Sequence, residues 1–142
     1  VVSLRNITNE AKRAAREAQG LHPDVSEHDI VIPIRDGSII SARLYYPAEN
    51  VATDRSLPIL IFFHGGGFCI GNRCDDFESN RAIALRNKAV VVSPEYRLAP
   101  EHPFPIAVYD GLDTLQWVGT FLWRLFLFPF HNLSCPTYSR SG

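Results

Sequence analysis

Two runs in this chain, Ile59-Leu60-Ile61-Phe62-Phe63 and Ala89-Val90-Val91-Val92-Ser93, are apolar without alternation. A strand of that kind asks for cover on both faces, which is the habit of a parallel sheet held between helices. The stretch between the runs, Asp75 to Lys88, reads as a helix. Its acidic residues Asp75, Asp76 and Glu78 cluster near the N-terminus, where the helix dipole favours negative charge. Strand, helix, strand is therefore one parallel crossover, expected to be right-handed.

The flanking segments extend this picture. Asp29 to Ile34 reads as a strand and Asp36-Gly37 as a hairpin turn. Ser38 to Tyr46 is its antiparallel partner, with Ile40, Ala42, Leu44 and Tyr46 on one face. Pro47 to Leu57 is polar and loop-like, and Pro94 to Pro105, with four prolines, is an ordered loop. Ile106 to Val118 reads as a helix with Ile106, Tyr109, Leu112 or Asp113, and Trp117 roughly in phase. Near the start, Ala11, Ala14, Ala15 and Ala18 form one small apolar face of a helix over Asn9 to Gln19. Thr8 is its expected N-cap and Gly20 its expected C-cap.

The composition bounds the class. At 142 residues the chain has the size of one ordinary domain, and 46% hydrophobic with 20% charged residues is a globular balance. A net charge of -1 gives no pull toward nucleic acid or an anionic membrane. Cys69, Cys74 and Cys135 are odd in number and lack metal-ligand spacing, and Val1 to Gly20 lacks the apolar stretch of a secretory signal. The expectation is a cytoplasmic chain with free thiols. From Gly119 onward the pattern changes: no acidic residue occurs, Arg124 and Arg140 carry the only formal charges, and aromatics crowd together. The stretch Phe121 to Phe130 is shorter than the roughly 20 apolar residues of a membrane span. Three regions result: a helical segment over 1–24, an α/β portion over 25–118, and an atypical, poorly ordered aromatic tail over 119–142.

The chemistry concentrates in His64-Gly65-Gly66-Gly67-Phe68, directly after the first apolar run. Glycines there reach positive φ and leave backbone N–H groups uncovered. Such groups can hold an oxygen that gains negative charge during acyl transfer. A flexible loop or a phosphate-binding turn is the competing reading, but no Gly-x-Gly-x-x-Gly or Gly-Lys-Ser/Thr pattern is present. Neither a metal nor an organic cofactor is implied.

Taken with Tyr96-Arg97-Leu98-Ala99-Pro100-Glu101-His102-Pro103-Phe104-Pro105, the HGGG motif resembles that of the hormone-sensitive-lipase-like esterases, the α/β-hydrolase-3 group. The resemblance covers roughly residues 25–118, with residues 1–24 more weakly similar to a helical cap. It implies the N-terminal portion of an α/β-hydrolase fold, an antiparallel hairpin leading into a parallel sheet, without the C-terminal strands. It implies a carboxylic-ester hydrolase acting on a small-molecule ester. Gly66 and Gly67 would donate oxyanion N–H groups, Gly65 and His64 would shape the loop, and Phe68 would wall the substrate pocket. Arg97 and Glu101 would brace the proline-rich loop as an ion pair. Asp110 and Trp117 would sit on the helix behind the next strand.

The family's serine lies on a Gly-x-Ser-x-Gly elbow. No glycine here has a serine two places on. Ser93 ends an apolar run, but Pro94 follows it and offers no N–H, so Ser93 reads as structural. Asp113 and His131 do not form a triad without a nucleophile. The abrupt change at Gly119 reads as a truncated or misread message, and the chain as given is expected to be inactive. A non-catalytic acyl-ligand-binding module and a fragment with no function of its own are the alternatives. Without the strand that leads into the elbow, Ile59 to Phe63 is expected to become an exposed apolar edge.

Overall fold

A computed structural model describes residues 1–48 and 57–125. The alternating residues of the second strand do form the core. The hairpin pairs β1 (Val25–Pro33) with β2 (Ile39–Pro47), in a register that sets Ile32 opposite Ile40 and Ile30 opposite Ala42. The turn chemistry fixes that register. Asp36 Oδ1 accepts the Ser38 N–H at 2.9 Å and the Ser38 hydroxyl at 2.6 Å, and Gly37 takes φ 85°. A slip of one residue would carry Ile40, Ala42 and Leu44 out of the interior.

The four strands run in the order β1-β2-β4-β3, with β3 over Ile59–Ile61 and β4 over Val90–Pro94. β2 pairs antiparallel with β4, and β3 pairs parallel with β4. The parallel crossover passes through α2 (Phe77–Asn87), two residues shorter at its start than the sequence suggests. β4 is buried along its whole length. Val90 and Val92 join Ile32, Ile40, Ala42 and Leu44 on the face that Trp117 and Val118 cover, while Val91 joins Tyr45, Phe77 and Ala84 under α2. Each of these valines contributes about 1.5–2 kcal/mol by leaving water. The two-sided cover expected of an unbroken apolar run is therefore met at β4.

β3 differs. It is only three residues long and lies at the edge of the sheet, with Leu60 38% exposed and Phe63, just past it, 45% exposed. Among the described residues no strand pairs with its outer side. The expectation of an exposed apolar edge holds, and that of cover on both faces does not. α3 (Ile106–Leu125) runs beyond the Val118 at which its sequence phase stops. Trp117 and Asp110 both lie on this helix as expected, and Trp117 packs against the cluster built from β1, β2 and β4. The tail from 126 and the polar loop over 49–56 lie outside the described residues. No described helix is long and apolar enough to cross a membrane.

The first helix corrects the sequence in a second way. α1 spans Val2–Gln19, and the Thr8 hydroxyl donates back to the Leu4 carbonyl instead of capping. Gly20 does end it, with φ 68° and its N–H on the Arg16 carbonyl. The alanine face is not the docked face. Ala11, Ala14, Ala15 and Ala18 are all exposed, and no residue of α1 is buried. Polar residues one helical turn apart make the contact instead. Arg5 meets Glu101 at 2.9 Å, Asn9 accepts from Asn72 at 3.1 Å, Lys12 meets Asp75 at 2.5 Å and Arg16 meets Glu27 at 2.7 Å. Gln19 reaches Glu78 at the end of the row. Burial alone would raise the Glu27 carboxyl, but hydrogen bonds from Arg16 and Arg81 outweigh it and hold the group below its ordinary value.

Candidate active site

The last sheet bond on this strand is Phe62 N–H to the Val92 carbonyl at 2.8 Å, after which the chain leaves the sheet at the carboxyl end of β3. Loop sites in open α/β sheets lie at that end. His64 turns inward and is 3% exposed. Its ring stacks on Tyr96, with centroids 4.2 Å apart and planes within 8°. The buried Tyr96 hydroxyl donates to the His64 carbonyl at 2.7 Å, and burial pushes the Tyr96 phenol upward. Gly71 makes room for this packing, since a Cβ there would come within 2.2 Å of His64 Nδ1.

Gly66 is required by geometry. Its φ is 126° and a Cβ would fall 2.1 Å from the Ile70 carbonyl oxygen. The Cys69 and Ile70 N–H groups both donate to the Gly66 carbonyl at 3.1 Å, closing a tight turn. Gly67 and Phe68 follow with φ 59° and 61°, both in the left-handed region. For Phe68 that conformation costs roughly 1–2 kcal/mol, which the surrounding turn must offset. Within the described residues, no hydrogen bond uses the N–H groups of Gly65, Gly66 or Gly67.

These groups border a cavity of about 400 Å³. Phe63, Phe68 and Tyr96 supply its aromatic walls, and Ala107 and Gly111 of α3 supply its floor. Every site residue expected from the sequence, His64 through Phe68, is thus brought to one place. Tyr96, Ala107 and Gly111 received no role in the sequence reading. The four-residue spacing of Ala107 and Gly111 was the available signal, because small residues one turn apart leave a shallow helix face.

The proline-rich loop walls the site from behind, with partners other than those expected. Arg97 and Glu101 do not pair with each other. The Arg97 backbone N–H and guanidinium both bind Asp110, at 2.9 Å and 2.6 Å, and a second arm reaches Asp36 at 2.6 Å. Hydrogen bonding to Asp110 is the main reason the Arg97 pKa is raised. Glu101 is taken by Arg5. Ala99 N–H donates to the Phe68 carbonyl at 2.8 Å, which ties this loop to the glycine turn. The remaining candidates stay outside. Ser93 is 1% exposed on β4, opposite Arg43, and Asp113 is held by the Arg35 backbone and guanidinium. His131 lies outside the described residues. Among those residues no group of three or more His, Cys, Asp or Glu could hold a metal ion.

A model of the alpha/beta hydrolase fold family (Abhydrolase_3) matches residues 60–129. The chain is 45% identical over 96 residues to 2-hydroxyisoflavanone dehydratase of Glycyrrhiza echinata, covering 66% of this chain and 28% of that protein. It is 37% identical over 101 residues to esterase LipI of Mycobacterium tuberculosis, covering 71% and 31%. Among solved structures, a hyperthermophilic esterase from the archaeon Pyrobaculum calidifontis superposes with a TM-score of 0.73 and 35% identity, over 87% of this chain and 38% of that one. The chain spans about a third of the length of the curated relatives it matches.

Proposed function

Because residues 60–129 place the chain in the alpha/beta hydrolase fold family, with esterases of the hormone-sensitive-lipase-like group among its relatives, we propose that it carries the oxyanion-binding half of an acyl-transfer site. Gly66 and Gly67 are the donors, Gly65 and His64 shape the turn, and Phe68 walls the pocket for a small ester. The observation that supports this most is the set of glycine N–H groups with no partner among the described residues, at the rim of an apolar cavity. In such a setting one donor stabilises a developing alkoxide by about 2.7–4 kcal/mol.

The whole reaction is serine-dependent acyl transfer to water, and the serine would come from a Gly-x-Ser-x-Gly turn that these 142 residues do not contain. Without that serine, no turnover is expected of these residues. A relative named as a dehydratase adds breadth. Elimination of water beside a carbonyl also builds charge on the carbonyl oxygen, so the same donors serve an enolate. A binding module for acyl ligands is the second reading, favoured by a formed cavity with no Ser or Cys among its described lining residues. The cytoplasmic setting expected from the cysteines goes with either reading.

Titration with p-nitrophenyl butyrate, followed by amide NMR, tests the proposal. The Gly65, Gly66 and Gly67 amides are expected to move in a saturable way while no p-nitrophenolate appears. Unmoved glycine amides at saturating probe would remove the basis of the reading, and steady turnover would remove the claim of an inactive chain.

A further inference from the structure

Arg5, on a helix that buries none of its own residues, lies across both loops of the site. Its Nε donates to the Cys69 carbonyl at 2.9 Å, Nη2 donates to the Ala99 carbonyl at 2.5 Å, and the two terminal nitrogens grip the Glu101 carboxylate at 3.0 Å and 2.9 Å. The Cys69 carbonyl belongs to the same planar peptide group as the Ile70 N–H. That N–H donates to the Gly66 carbonyl at 3.1 Å, and the Gly66 carbonyl shares its own peptide group with the N–H of Gly67, which has no partner among the described residues. In a trans peptide the carbonyl and the N–H point in opposite directions, so fixing one end aims the other. Serial hydrogen bonds also polarise one another.

We propose that Arg5 is a positioning residue for the Gly67 N–H, acting through the Cys69–Ile70 and Gly66–Gly67 peptide groups. A second branch meets the first. Ala99 N–H binds the Phe68 carbonyl, whose peptide partner, the Cys69 N–H, also ends on the Gly66 carbonyl. Arg5 also holds the Ala99 carbonyl, in the peptide group next to the one that carries that N–H, so the same guanidinium touches both branches. The use made of the Gly67 N–H rests on the acyl-transfer reading. The relay itself does not.

The test is NMR on the full 142-residue chain. In the unmodified protein, couplings across hydrogen bonds are expected from Arg5 Nε to the Cys69 carbonyl carbon and from Ile70 N to the Gly66 carbonyl carbon. Absence of either overturns the relay, whatever the variants do. Arg5→Met is expected to speed exchange of the Ile70 amide by about tenfold or more and to shift the Gly67 amide proton, while the Val92 amide keeps its protection. Glu101→Gln keeps the bond to Cys69 and is expected to change Ile70 exchange by less than about threefold. If Glu101→Gln matches Arg5→Met, the ion pair and not the relay steadies the loop, and the proposal fails. Glycine amides that ignore p-nitrophenyl butyrate while both couplings are present would sink the functional reading and leave the relay standing.

Discussion

The two loops that leave the parallel neighbours β3 and β4 start side by side and end up opposite in character. Among the described residues, the N–H groups of the glycine turn over 65–67 have no partner. The loop after β4 leaves little uncommitted: Arg97 binds Asp110 and Asp36, Ala99 binds Phe68, and His102 N–H binds the Leu98 carbonyl. The difference shows how a site can keep donors vacant. An unpaired donor in a free loop would turn to water or to its own chain. Here the glycine turn is held by a neighbour that is itself tied to α1, α3 and the hairpin turn, and Tyr96 is the strut between them.

The contrast can be broken most sharply at Asp110, which is fully buried beneath Arg97. Asp110→Ala is expected to cost about 3 kcal/mol in urea unfolding and to loosen the proline-rich loop. An unchanged unfolding midpoint would mean that Asp36 alone secures Arg97. Gly66→Ala attacks the other loop. With no room for a Cβ, it should cost about 2 kcal/mol and abolish the response of the glycine amides to p-nitrophenyl butyrate. A retained response would show that the turn tolerates repacking. Tyr96→Phe removes only the bond to the His64 carbonyl, so a loss of about 1 kcal/mol is expected, with faster Cys69 and Ile70 exchange.

The smallest effect is one of acidity, through two carboxylates that brace the proline-rich loop. Hydrogen bonds from Ser38 and then Arg97 hold the Asp36 carboxyl below its ordinary value, and Arg5 does the same for Glu101. Their contribution is fully present above the ordinary values of 3.8 and 4.5 and is lost as pH falls through the lower folded ones. Melting temperature should therefore stay level from neutral pH to about 5 and decline below about 4. A decline that begins near pH 6 would mean that these carboxylates do not set it.

Much of this arrangement was written in local pattern. The alternation of Ile40, Ala42, Leu44 and Tyr46 marked the inner face of β2, and His64 through Phe68 marked the cavity rim. What escaped depended on partners far along the chain. Arg43, between those apolar residues, is nearly buried because Asp29 meets it at 2.6 Å, and no periodicity announces such a pairing. The alanine row of α1 suggested an inward face, yet a row of Arg5, Asn9, Lys12 and Arg16 had complementary groups waiting on the body. Arg97 and Glu101, close in sequence, pointed to each other. Asp110 and Arg5 compete for them from two helices.

That inverted helix has a thermal signature. Lifting α1 from the body would uncover the carboxylates of Glu27, Asp75, Glu78 and Glu101 but almost no oily surface. Release should therefore proceed with little change in heat capacity, the quantity that tracks hydration of apolar area. Dissolved ions, which shorten the reach of exposed attractions to about 3 Å at 1 M, would loosen the Arg5–Glu101 end first and the pairs of the buried Glu27 and Asp75 least. In a calorimeter, brine would loosen the start of α1 at a temperature that leaves the sheet intact.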